Sequence, residues 1–194
     1  MLSVVVLISG SGSNLRALLE ACDNPLFPAR ILAVGADNPA SGLAHAEQFG
    51  VPTFVVELER FASRPQWAAM LQKNIEFFSP DLVVLAGFMK VLPAEFVHHF
   101  RGRLINLHPS LLPDFPGAHA VRDALAAGVK VTGTTIHLVD EGVDTGTILR
   151  QAELEIPSGI TEAELHERIK ELERDQLVNL VRDLAEGTET LEGK

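Results

Sequence analysis

The sequence predicts an α/β fold: a Rossmann-like, mostly parallel twisted sheet with helices on both faces. Three observations carry this. Short apolar runs recur along the chain, bounded by glycine, proline or charged residues, as buried parallel strands are. Segments with apolar residues at helical spacing separate them, and strands alternating with helices imply right-handed crossovers. Finally, the first apolar run passes through the glycine-rich turn "SGSGSNL" (9–15) into a helix, a join that places backbone N–H groups at a rim where such sheets bind ligands.

Taken in order, "LSVVVLIS" (2–9) is the first strand, and Leu15, Leu18, Leu19 and Cys22 mark a helix over 13–22. "RILAVGAD" (30–37) is a second strand, "GLAHAEQFG" (42–50) a short helix closed by Gly50, and "PTFVVE" (52–57) a third strand. Pro65 suits the first turn of a helix running to Phe78, where Trp67, Leu71 and Phe78 supply core. "DLVVLAGF" (81–88) is a fourth strand, 93–100 a short helix and "RLINLH" (103–108) a fifth strand. A proline-rich loop (109–117) precedes a helix over 118–127. "KVTGTTIHLV" (130–139), rich in β-branched residues, is a strand. After the acidic loop 140–146, "TILRQAELEI" (147–156) alternates like an edge or antiparallel strand. Thr161 and Glu164 form a capping box for the last helix, whose apolar face is Leu165, Ile169, Leu172, Leu177, Leu180 and Leu184. The expectation is one domain over 1–194 with a polar tail fraying from Gly187.

A chain of 194 residues is long enough to bury a sizeable core, and 46% hydrophobic against 22% charged residues is a globular balance. The net charge of −10 argues against a general nucleic-acid or acidic-membrane binder, yet leaves room for one basic pocket holding a small anion. The single cysteine, Cys22, forbids an internal disulfide and reads as core. The start "LSVVVLISG" lacks a charged leader region and is too short to span a bilayer. A cytoplasmic protein acting on small molecules is expected, with no nucleic-acid or membrane partner, as a monomer or a homodimer.

Two rim segments carry chemistry. In the glycine loop, Gly10 and Gly12 allow close approach of a ligand, and Ser11, Ser13 and Asn14 add polar groups, which suits one phosphate. No Gly-Lys-Ser/Thr follows, and Leu15 stands where a dinucleotide fingerprint needs its third glycine; Asp37, at the end of the second strand, keeps a nicotinamide cofactor as a distant option. In "INLHPSLLP" (105–113), Asn106 and His108 share one face of a strand that Pro109 and Pro113 forbid to continue. Asp140, Glu141 and Asp144 reach the same rim from "VDEGVDTG" (139–146). A carboxylate beside His108 holds its tautomer and raises its pKa, and the Asn106 amide can donate to an oxyanion. This is equipment for acyl transfer to a nucleophile belonging to a substrate, because no G-x-S-x-G occurs. No metal site is expected: there is no H-E-x-x-H or cysteine cluster, and the adjacent His98 and His99 diverge on a helix. His45 and His166 read as solvated.

"ISGSGSNL" (8–15), "VVLAGFMKVL" (83–92), "INLHPSLLPDFPGAHA" (105–120), "GTTIHLVDEGVDTG" (133–146) and the start of the last helix, in this order, resemble the phosphoribosylglycinamide formyltransferases of purine synthesis over nearly the whole chain. The resemblance implies one-carbon transfer from 10-formyltetrahydrofolate, as co-substrate and without a metal, to the amine of glycinamide ribonucleotide. It implies Asn106, His108 and Asp144 as the catalytic trio, with His108 as proton donor. Gly12, Ser13 and Asn14 then match the substrate phosphate loop, and Glu173 a substrate contact. Met89, Lys90, Val91 and Leu92 match the folate segment, Arg64 a folate-contacting arginine, and Asp140, Glu141, Gly142, Val143 and Asp144 the loop on the far side, with Asn106 also facing the folate. Lys90 stands where the family often has Arg, which keeps the charge and loses the planar fork. Methionyl-tRNA formyltransferases and formyltetrahydrofolate hydrolases are similar, but the former carry an extra C-terminal domain and the latter an N-terminal regulatory domain and a second histidine at the place of Leu107. A non-catalytic nucleotide-binding module would explain the glycine loop and leave Asn106, His108 and Asp144 without a role.

Overall fold

In the computed structural model, which describes residues 1–191, seven strands form one sheet in the order β3-β2-β1-β4-β5-β6-β7. The strands are β1 Leu2–Ile8, β2 Ala29–Ala36, β3 Thr53–Val55, β4 Leu82–Leu85, β5 Leu104–His108, β6 Val131–Leu138 and β7 Ile148–Glu155. The pairs from β3 through β5 are parallel, while β6 runs antiparallel to both β5 and β7. The sheet is thus mostly parallel with an antiparallel edge, as the alternation in 147–156 predicts. The helices are α1 Ser13–Cys22, α2 Leu43–Gln48, α3 Arg64–Phe77, α4 Ala94–His99, α5 Ala120–Ala127 and α6 Glu162–Glu186. A 3-10 turn at Leu58–Arg60, unforeseen in the sequence, links β3 to α3.

The two-residue period of β1 splits the core. Val4, Val6 and Ile8 pack under α1 and α6 with Leu15, Leu18, Leu177 and Leu180. Val5 and Leu7 pack on the other face with Trp67, Leu71 and Ile75 of α3 and Phe96 and Phe100. Both faces are covered, so β4 and the Val4–Ile8 stretch of β1 are continuous apolar runs. The Trp67 indole N–H is not wasted in this core, because it donates to the Val56 carbonyl at 2.7 Å. Cys22 ends α1 half-buried, where burial pushes its thiol up to about 11.

Several boundaries shift toward the rim. β4 stops at Leu85 rather than 88 and β1 at Ile8 rather than 9, which frees Ser9 and 86–88 to form loops at the carboxyl edge. On α6 the half-exposed Leu172 yields the buried stripe to Glu173, which follows Leu165 and Ile169 at the four-residue spacing. The start of the polar tail after Gly187 makes contacts as far as Leu191. The N–H groups of Thr188 and Glu189 donate to the Asp183 carbonyl, and Leu191 packs against the α1/α6 core. Residues 192–194 lie outside the described residues. Among the described residues no helix is long and apolar enough to cross a membrane.

Candidate active site

Two cavities open at the carboxyl edge of β1, β4 and β5, on either side of the strand end carrying Asn106 and His108. The first, of about 240 Å³, is bounded by the loop 10–14, by Gly87 and Pro109, and by His166, Lys170 and Glu173 of α6. Gly12 caps α1 at φ 70°, a left-handed conformation costly for any other residue type, and no side chain caps that helix end. The first-turn N–H groups and the positive end of the helix dipole therefore face the cavity. Asn14 Nδ2 donates to Glu173 Oε2 at 2.9 Å, and Asn14 Oδ1 is buried without a partner among the described residues. Burial pushes the Glu173 carboxyl up, opposed by the Asn14 amide. Gly12, Ser13, Asn14 and Glu173 thus meet in one place as expected from the sequence, while Lys170 and His166 were missed. Their signal was present: 166, 170 and 173 share one helical face. His166 is exposed at the cavity rim, as its polar helix context predicts, and desolvation and Lys170 hold it below the ordinary histidine value.

Between the cavities lies a cluster of two histidines, an amide and a carboxylate. The His108 ring, 4% exposed, has Nε2 2.8 Å from the Phe115 carbonyl and Nδ1 3.4 Å from Asp144 Oδ2. A carbonyl only accepts, so Nε2 carries the hydrogen and the neutral ring turns its Nδ1 lone pair toward Asp144. Ser110 Oγ donates to the carbonyls of Asp114 at 2.5 Å and Phe115 at 3.3 Å, and Phe115 is itself left-handed at φ 52°. Behind this turn, Thr135 Oγ1 donates to the Ser110 carbonyl and accepts from Leu112 N–H and Gln151 Nε2. The proline loop is therefore built around the carbonyl that fixes the His108 tautomer.

His137 is the residue the sequence reading passed over. Antiparallel pairing sets it opposite Asn106 in register. Its Nδ1 donates to the Leu138 carbonyl at 2.8 Å, and its Nε2 faces Asn106 Nδ2 at 3.3 Å. The same Nε2 lies 3.5 Å from Asp144 Oδ1. Asp144 is left-handed at φ 55° and also accepts from Gly117 N–H at 2.7 Å. Interaction with His137, then Gly117 N–H and His108, holds the Asp144 carboxyl below the usual carboxylate range against the effect of burial. For His108 the balance is opposite to the expected rise: burial pushes it below the ordinary histidine value and outweighs the Phe115 carbonyl and Asp144, which raise it. The resting pair is an ionised Asp144 beside a neutral His108.

The second cavity, about 160 Å³, has walls from Leu85, Phe88, Leu92 and Val97, with Lys90 and Val91 on one side and 140–144 on the other; Asn106, His137 and Asp144 form its floor. An apolar slot edged by loop backbone and a carboxylate suits a flat heterocycle with donor groups, so the residues present fit a pterin. Asp140 folds its loop by accepting from Gly142 N–H and Thr145 Oγ1. Two expected members of this group sit elsewhere. Met89 lines the first cavity, because its N–H bonds Ser9 Oγ and turns the loop there. Arg64 lies outside the wall and donates to the Val91 carbonyl at 2.7 Å, so it supports the 90–92 segment. Lys90 Nζ is shared between Glu59 at 3.5 Å and Asp37 at 3.9 Å, which engages Asp37 with a cation rather than leaving it to a ribose. His98 and His99 diverge to Glu141 and Glu76.

The profile of the Formyl transferase family matches residues 2–181. Phosphoribosylglycinamide formyltransferase of Mycobacterium tuberculosis (strain ATCC 25618 / H37Rv) is 48% identical over 191 residues, spanning 98% of this chain and 88% of that protein. The protein of the same name from Escherichia coli (strain K12) is 40% identical over 170 residues, 87% of this chain and 80% of that one. The crystal structure of glycinamide ribonucleotide transformylase 1 from Symbiobacterium toebii superposes with a TM-score of 0.93 at 40% identity, covering 96% of this chain and 89% of the other. On likeness of this degree the chain belongs to the formyl transferase family.

Proposed function

We propose that this chain is a phosphoribosylglycinamide formyltransferase. It moves the formyl group of 10-formyltetrahydrofolate to the amine of N1-(5-phospho-D-ribosyl)glycinamide, a step of purine biosynthesis. The observation that carries the reading is Asp144, held ionised between two histidines where an anion-suited cavity meets an apolar slot. The names of the relatives, phosphoribosylglycinamide formyltransferase among them, support it. The loop 10–14 with Lys170 seats the phosphate, and Glu173 binds the sugar or glycinamide portion. The slot between 90–92 and 140–144 takes the pterin of the donor.

Amine and formyl carbon then meet at Asn106, and holding them together supplies much of the acceleration. One N–H of the Asn106 amide is directed to His137 and the other stabilises the oxygen that gains charge, worth roughly 3 kcal/mol of barrier. The attacking amine must lose a proton and the leaving nitrogen of the donor must gain one. His108, neutral at rest, accepts that proton at Nδ1 beside Asp144. The imidazolium so formed is held between the Phe115 carbonyl and Asp144, and it returns the proton to the leaving nitrogen. His108 is thus an acceptor first and the proton donor afterwards. A non-catalytic nucleotide-binding module leaves this cluster without a task. The test is consumption of 10-formyltetrahydrofolate with glycinamide ribonucleotide, formyl-acceptor tRNA or water alone as acceptor. Turnover with the ribonucleotide is expected; turnover only with tRNA or water, or none with any acceptor, rejects the proposal.

A further inference from the structure

The loop 10–12 is backed, on the side away from its cavity, by α2. The Gly10 carbonyl accepts from Gly42 N–H at 3.0 Å, and the Ser11 carbonyl accepts from His45 Nε2 at 3.1 Å. In a trans peptide the C=O and the following N–H point in opposite directions. With two successive carbonyls pinned toward α2, the N–H groups of Ser11 and Gly12 point away from it, into the cavity that the loop lines. Among the described residues neither N–H meets a protein acceptor. The α2 side is closed. A Cβ on Gly12 would stand 3.1 Å from Gly42 Cα and 3.6 Å from His45 Cδ2, and one on Gly42 would stand 2.8 Å from the Gly10 carbonyl oxygen. The loop therefore cannot relax backward, and its peptide planes are set from behind.

We infer that His45, which touches no part of the cavity, is a positioning residue for the substrate phosphate: by holding the Ser11 carbonyl it aims the Gly12 N–H at the phosphoryl oxygens. The inference rests on the reading of this cavity as the phosphate seat. A peptide free to rotate can turn its carbonyl into the cavity, replacing a donor by an oxygen that repels the anion. His45 bonds Ser11 through Nε2–H, while its buried Nδ1 has no partner among the described residues, so within them the ring's polar engagement is with this one carbonyl.

The test compares full-length wild type with His45→Ala, His45→Phe, His45→Gln and Lys170→Ala in steady-state turnover, with inorganic phosphate as a competitive inhibitor. His45→Ala and His45→Phe should raise KM for the ribonucleotide and Ki for phosphate about tenfold, the loss of one aligned donor. The KM for 10-formyltetrahydrofolate should stay within about twofold, far below that tenfold change. Phe keeps the ring's bulk, so a loss common to Phe and Ala belongs to the hydrogen bond and not to packing. Gln, whose amide can reach the same carbonyl, should recover part of the affinity. Unchanged phosphate affinity in Ala and Phe while Lys170→Ala weakens it overturns the role of His45 alone. Unchanged affinity in all variants, Lys170→Ala included, overturns the phosphate seat as well. Equal losses toward both substrates overturn the positioning role in favour of general damage.

Discussion

Asp144 is shared by two histidine rings that differ in what pins them. His108 is pinned through Nε2 by Phe115 and His137 through Nδ1 by Leu138, so each presents its other nitrogen to the carboxylate. Removing the charge without the shape, Asp144→Asn, or the ring, His108→Ala, should cost about 10²–10⁴ in kcat, the usual weight of acid–base assistance. Circular dichroism should show both variants folded, and near-normal turnover in either refutes the assigned roles. Burial depresses His108, so the unfolded chain binds a proton that the folded chain resists. Stability from this site is complete above the ordinary value of 6.5 and is lost as pH falls from there through the folded-state value. His108→Gln should accordingly show a flatter dependence of Tm on pH below about 6.5 than the wild type. Equal slopes in calorimetry dismiss the effect. Ser110, which steadies the Phe115 carbonyl, offers a finer check. That carbonyl raises the His108 pKa, so Ser110→Ala should move the acid limb of the kcat/KM profile to lower pH, and Ser110→Thr should restore it. A drop in rate with an unmoved profile points to folding instead.

At the scale of elements, the strand "RLINLH" and the turn after β1 were legible because their signals are local: apolar runs, glycines and the prolines that end them. The capping box of α6 was equally local, and both halves are present. Thr161 Oγ1 accepts from Glu164 N–H, and Glu164 accepts from Thr161 N–H. Thr161→Ala should cost about 1 kcal/mol in urea unfolding, with an unchanged m-value; a neutral result means the buried face of α6 alone fixes its start. What the periodicity misjudged on this helix was Leu172 against Glu173. The four-residue spacing from Leu165 and Ile169 puts position 173 on the buried stripe, and a carboxylate is accepted there because Asn14 on α1 donates to it. His137 was missed for a related reason. It lies in a strand read as β-branched scaffolding, and only the antiparallel pairing of β5 with β6 sets it against Asn106.

Across the whole molecule, charge is distributed against the bulk trend. The chain carries −10, yet Lys170 and the open end of α1 face one cavity. A ligand that binds only the folded state raises its stability by mass action. Inorganic phosphate should therefore raise the wild-type Tm, by an amount that grows with the logarithm of its concentration above Kd. Lys170→Ala should show about half that shift or less, since a direct cationic contact is lost. Equal shifts in differential scanning calorimetry mean that phosphate acts on the bulk surface. The sequence by itself determined the element order, the sheet as mostly parallel, the glycine and proline turns and the residue types at the rim, because these follow from periodicity and backbone sterics over a few neighbouring residues. Tertiary structure alone decided that His137 completes the cluster, that Met89 and Arg64 stand apart from the second cavity, and that His45 reaches the glycine loop. It also decided that burial outweighs Asp144 in setting the charge of His108, because desolvation depends on everything packed around the ring and no stretch of sequence contains that sum.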